Sequence, residues 1–298
     1  MENTIQPQPC RLSVGEPNPV LVKELRGRMR GARAFIMLTM YLLLLGCFML
    51  SVYSAYADDL TGADMTELGR TTFLVITLIE ILMATFIAPA FTAGAISGER
   101  ERQTYELLRT TLLPARKLVY GKLLSALTYM FLLIMVAVPL ESLAFIWGGV
   151  MVEEMVVALV LLLVTAISFA AIGLFFSSIV RSTHSSTVLS YIAVLLLAVV
   201  LPILLSILLA PGIDNGMSWT AYLMFLALSI SPITAAVITE GLIEENILYF
   251  WWDSLFYNPH TTTHVPVPLP WIIYTLFWLA ITAILLSVTI SRVRAQEK

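Results

Sequence analysis

W-T-A-Y-L-M-F-L-A-L-S-I-S-P-I-T-A-A-V-I-T, residues 219–239, is apolar and long enough to cross a bilayer, yet S-I-S-P-I at 229–233 interrupts it. Its status decides the topology. If it crosses, the chain has seven spans, and the basic tail R-V-R-A-Q-E-K at 292–298 falls on the side opposite the other basic loops. If it turns back, there are six spans and the tail joins them. Proline removes a backbone donor, and a broken backbone at membrane depth needs partners supplied by protein. The expectation is a re-entrant segment over 219–239 that enters from the outer side before the last span. An ordinary seventh span kinked at Pro232 is the alternative.

The rest of the chain sets the class. It is 59% hydrophobic and 12% charged, with a mean hydropathy of +0.89, against about 25% charged residues in soluble domains. A polytopic, all-α membrane protein follows. Apolar runs long enough to span lie near 34–57, 71–96, 118–148, 155–180, 186–210 and 271–290. Residues 1–33 are expected as a cytosolic leader and 34–298 as the transmembrane domain. The long polar start is wrong for a cleaved secretory signal, so the leader is expected to be retained. Cys10 and Cys47 lie in different settings and suggest no disulfide framework.

Basic residues mark the cytosolic side of short loops. Of the 17 Lys and Arg residues, 16 fall in the leader, in the loop after the second run and just beyond it, at Arg181, or in the tail. Arg70 alone is left for the other side, in a loop with Asp58, Asp59, Asp64 and Glu67. Six spans with both termini cytosolic fit this pattern, in an integral plasma-membrane protein of the bacterial inner-membrane kind.

Two inner segments stand out. In N-P-V-L-V-K-E-L-R-G-R-M-R-G-A-R, residues 18–33, Leu21, Leu25 and Met29 oppose Lys23, Arg26, Arg30 and Arg33. That spacing predicts an amphipathic interfacial helix with its cations among anionic headgroups of the lipid bilayer. In S-G-E-R-E-R-Q-T-Y-E-L-L-R-T-T-L-L-P, residues 97–114, the charges alternate in sign, while Tyr105, Leu108 and Leu112 share a face. Mixed charge beside one apolar stripe suits a polar protein partner better than lipid. A helix over 98–113, stopped by Pro114, is predicted.

N-P-V-L-V-K-E-L-R at 18–26, G-E-R-E-R-Q-T-Y-E-L-L at 98–108, Pro114 and the Gly121-Lys122 pair resemble the permease subunits of ABC exporters of the ABC-2 type. Beyond Thr183 the resemblance is one of hydropathy. Gln103 stands where that family usually has glycine, and Tyr105 where it has a smaller aliphatic. The resemblance implies that 98–113 is a coupling helix docking on a separate nucleotide-binding ATPase subunit through Glu99, Arg100, Glu101, Thr104, Glu106, Leu107 and Leu108. It implies a second permease copy, as homodimer or related heterodimer, and ATP with magnesium held by the ATPase. The sequence has no G-x-x-x-x-G-K-[ST] phosphate loop, so neither catalysis nor a cofactor is expected on this chain. No nucleic-acid partner is expected. A permease-like anchor without transport, and more remotely an intramembrane hydrolase with Glu244 and Glu245, are the other readings.

Glu80 lies in the middle of the second run, where a carboxylate is costly. It either lines a translocation path or is a hydrogen-bonded group facing the bundle. Glu141 is expected near the outer end of the third span, reaching water. Ala166, Ala170, Gly173 and Ser177 share one face of the fourth run, as close helix packing requires. His260 and His264 have the spacing of a metal pair, but Pro259, Pro266, Pro268 and Pro270 oppose a helix there, and no metal site is expected. The aromatic loop 241–270 reads as an interfacial cap or a substrate lid.

Overall fold

The structure is a computed structural model and describes residues 32–56, 62–103, 114–214, 218–244, 251–252 and 267–297. The predicted leader helix with Lys23, Arg26 and Arg30 lies outside these residues, as do the side chain of Arg33, the segment 104–113 and both histidines of H-T-T-T-H.

Ten α-helices are described: α1 (Ala32–Tyr56), α2 (Gly62–Ala93), α3 (Ser97–Glu101), α4 (Ala115–Trp147), α5 (Val152–Ile179), α6 (Thr183–Leu195), α7 (Leu201–Asp214), α8 (Ser218–Ser229), α9 (Pro232–Glu244) and α10 (Pro270–Glu297). A π-helical turn, Leu196–Val200, joins α6 to α7. The wider turn accommodates Pro202, whose ring would otherwise press on the Ala198 carbonyl and whose missing N–H removes a bond. Six helical stretches are long and apolar enough to cross a membrane. The one strand pair among the described residues was not expected: β1 (Trp251–Trp252) runs antiparallel to β2 (Val267–Pro268) just before α10. It closes the ends of the aromatic loop.

α5 is the most enclosed span, with α2, α4, α6 and α10 packed around it. Its small residues make this possible. A Cβ on Gly173 would lie 2.2 Å from Thr92 Oγ1 and 2.9 Å from the Pro89 carbonyl oxygen, so α2 and α5 cross at backbone distance. Hydrophobic burial does not drive helices together in lipid, so packing and interhelical hydrogen bonds must. The α5–α10 seam supplies both. Thr165 Oγ1 and the Tyr274 hydroxyl are 2.7 Å apart, Thr282 Oγ1 donates to Ser168 Oγ at 2.9 Å, and Phe169 meets Trp278 edge-on at 4.8 Å. α1 and the α6–α7 span are the least enclosed. Their outward residues, among them Phe35, Ile36, Ile207 and Leu208, are apolar.

Residues 219–239 do not form a straight span. α8 and α9, of 12 and 13 residues, meet at a bend of 115°. Each is roughly 18–20 Å long, short of the ~30 Å hydrocarbon. The break is satisfied from within and from α10. Ser229 Oγ donates to the Phe225 carbonyl, Thr234 Oγ1 to the Leu228 carbonyl, and Trp278 Nε1 to the Ile230 carbonyl at 2.9 Å. Trp278 is eight residues into α10, so the tip of the bend reaches about 12 Å along that helix from its N-terminus. The segment is therefore two short helices sharply bent at the proline, with the bend bonded to α10.

Candidate functional site

At the end of the bundle that carries most of the described basic residues, α2 stops and α3 starts after a turn at residues 94–96. A helix end leaves free N–H and C=O groups. Here neighbouring spans take them up. Ser177 Oγ of α5 accepts the N–H groups of Ile96 (2.8 Å) and Ser97 (3.0 Å), and Ser186 Oγ of α6 donates to the Ala93 carbonyl at 2.7 Å. Lys122 of α4 donates from Nζ to the Ala95 carbonyl at 2.6 Å and to Glu99 Oε1 at 2.9 Å. Lys122 is only 1% exposed. An ammonium so enclosed is tolerable only when its bonds are made, and these two make it so.

Glu101 completes the set. Its carboxylate accepts the N–H of Thr183 at 3.0 Å and the Thr183 hydroxyl at 2.6 Å, while Ser182, at the N-cap of α6, makes no side-chain cap bond. A carboxylate from another helix thus caps α6 and meets the positive end of its dipole. Through Glu99, Glu101 and the α2–α3 turn, α3 is fastened to α4, α5 and α6.

Of the sequence-predicted contact residues, Glu99, Arg100 and Glu101 lie in α3, whereas Thr104, Glu106, Leu107 and Leu108 lie outside the described residues. The expectation of one helix over 98–113 needs correction: α3 ends at Glu101, and Gln103 has a φ of 57°. A left-handed residue cannot continue a right-handed helix. It is also the conformation glycine adopts freely, which accounts for the glycine expected there. Arg102 and Gln103 are exposed.

Sequence reasoning missed the roles of Lys122, Ser177 and Thr183. A signal existed for Lys122, a lone cation early in the apolar run of the third span; none existed for the two hydroxyls, which are common in helices.

Glu80 is 2% exposed and accepts a bond from the Tyr41 hydroxyl at 3.4 Å. Glu141 of α4 is half-buried, which agrees with its expected place near the end of that span. Tyr41 of α1 and Glu80 of α2 thus meet inside the bundle. At the opposite end, Arg70 pairs with Glu240 of α9, Nε to Oε1 at 3.8 Å, and donates from Nη2 to the Glu240 carbonyl at 3.4 Å. Arg70 thus ties α9 to α2. No group of His, Cys, Asp and Glu that could hold a metal occurs among the described residues.

Six helices long and apolar enough to span, a bent helix pair before the last of them, and a short polar helix braced against three of the long ones define a polytopic integral membrane protein. The chain belongs to the ABC-2 family of transporter proteins, whose family model matches residues 19–239. The match runs well past Thr183, to the end of the apolar part of α9. No curated protein sequence matches the chain. Family membership makes the chain a membrane permease component of an ABC transporter and implies an ABC ATPase as its partner.

Proposed function

We propose that this chain pairs with a second permease chain to form the translocation unit of an ATP-driven exporter, and that residues 97–114 dock it on a separate nucleotide-binding subunit holding ATP and magnesium. One observation carries the reading. The short helix at the start of that segment is bonded to three spans at once, through Lys122, Ser177 and Thr183. A partner gripping it would move those spans together rather than bend a loop. In this mechanism Arg100, Thr104, Glu106, Leu107 and Leu108 meet the ATPase, and Glu99 and Glu101 brace the helix from behind. ATP does work only by favouring one arrangement of the docked spans over the other. Both termini lie in the cytosol, and the membrane is the plasma membrane.

The test uses the permease co-purified with its ABC ATPase. Arg102→Glu combined with Glu106→Lys reverses the sign of two charges in the segment, with Arg102 exposed, and leaves Lys122, Glu99, Glu101 and Thr183 in place. Pairing should fall at least about tenfold, in line with charge reversal at an interface, while thermal unfolding of the permease stays unchanged. Undiminished pairing would exclude this segment as the docking site.

A further inference from the structure

A groove of about 1070 Å³ opens between the first turns of α4 and the second half of α10. Its wall is formed by Leu279, Ala283, Leu286 and Ile290, and its mouth by Arg116 and Arg294. Ser287 Oγ donates to the Ile284 carbonyl and Ser291 Oγ to the Ser287 carbonyl, so both exposed serines of this face are bonded within their own helix. Between them Leu279, Ala283, Leu286 and Ile290 make the apolar part of the wall. No acidic residue is among its lining, and neither arginine has an ion-pair or hydrogen-bond partner among the described residues.

Dimensions narrow the occupant. Leu279 to Arg294 is fifteen residues of α10, about 22 Å of helix. One leaflet with its headgroup layer is about 20–22 Å thick, half of the whole bilayer. The groove thus has one cationic end and an apolar trough one leaflet deep, at the end of the bundle where basic residues collect. An anionic head with a long acyl tail matches both parts. A zwitterionic head would bring the same tail without net charge to meet the two guanidinium groups.

We propose that this groove is a binding site for an anionic phospholipid of the adjoining leaflet, with its phosphate between Arg116 and Arg294 and an acyl chain along Leu279, Leu286 and Ile290. Such a lipid ties the start of α4 to the second half of α10. The site is independent of the docking reading above.

The experiment is native mass spectrometry of the full chain released from mixed micelles containing phosphatidylglycerol or phosphatidylcholine with identical acyl chains. Wild-type protein should retain phosphatidylglycerol with a roughly thirtyfold preference, the weight of two basic side chains near the surface. The preference should shrink as salt is raised. Arg116→Gln with Arg294→Gln should abolish it without unfolding the protein, since both side chains are exposed. Ala283→Phe, which fills the trough and leaves the arginines, should lower retention of both lipids. Equal retention of the two lipids by the wild type, or unchanged preference in the double arginine variant, overturns the proposal. So does efficient Ser287→Cys disulfide formation between two copies, which would give the groove to a second chain.

Discussion

Lys122 shows how a single residue can be visible in sequence and still be misjudged there. It follows the basic loop and would pass for one more positive-inside charge, yet its ammonium is enclosed and shared between a carbonyl and Glu99. Lys122→Met should cost about 3 kcal/mol of stability, because the Ala95 carbonyl and Glu99 lose the enclosed ammonium they share. Adding Glu99→Leu should recover most of that loss, as thermal unfolding in detergent would record. Recovery is the informative arm: if Glu99 served only as a docking contact, the second change would restore nothing. Gln103 makes the complementary case. Its φ of 57° carries a cost of about 1 kcal/mol for a side-chain-bearing residue, so Gln103→Gly should raise the unfolding temperature slightly or leave it unchanged, whereas Gln103→Val should lower it.

At the scale of elements, the bent α8–α9 pair depends on a partner distant in sequence. Trp278→Phe keeps an aromatic ring against Phe169 but removes the donor to the Ile230 carbonyl. A loss of about 1 kcal/mol is expected, seen as faster amide exchange in α8 and α9 with exchange in α5 unaltered. The α2–α5 crossing is less forgiving. Gly173→Ala places a Cβ within 2.2 Å of Thr92 Oγ1 and 2.9 Å of a backbone oxygen, an overpacking penalty of about 1–3 kcal/mol. Gly173→Leu should yield no folded protein, as judged by size-exclusion profile after solubilisation. The small-residue face of the fourth run was evident in the sequence; which helix it admits so closely was not.

For the whole molecule, the central question is whether the braced handle and the spans move as one body. If they do, a spin-label pair placed at Arg102 and Ser185, across the Glu101–Thr183 bonds, should keep its distance distribution when ATP is added to the permease–ATPase complex. A pair spanning two permease copies should change. Broadening of the first pair would show that α3 moves apart from α6 and would remove the physical basis of the docking mechanism. The class of molecule and its six long apolar helices were legible because hydrocarbon thickness acts on the chain locally and leaves a mark in composition and run length. The S-I-S-P-I break was legible for the same reason, since proline interrupts a helix wherever it stands. What only the tertiary structure decided is which distant polar groups bond to one another: Glu80 with Tyr41, Lys122 with Glu99, Glu101 with Thr183, Arg70 with Glu240. The members of each pair lie 23 to 170 residues apart, and nothing local distinguishes one hydroxyl or carboxylate from another. The geometry of the packed helices selects the partner, and that geometry exists only once the chain has folded.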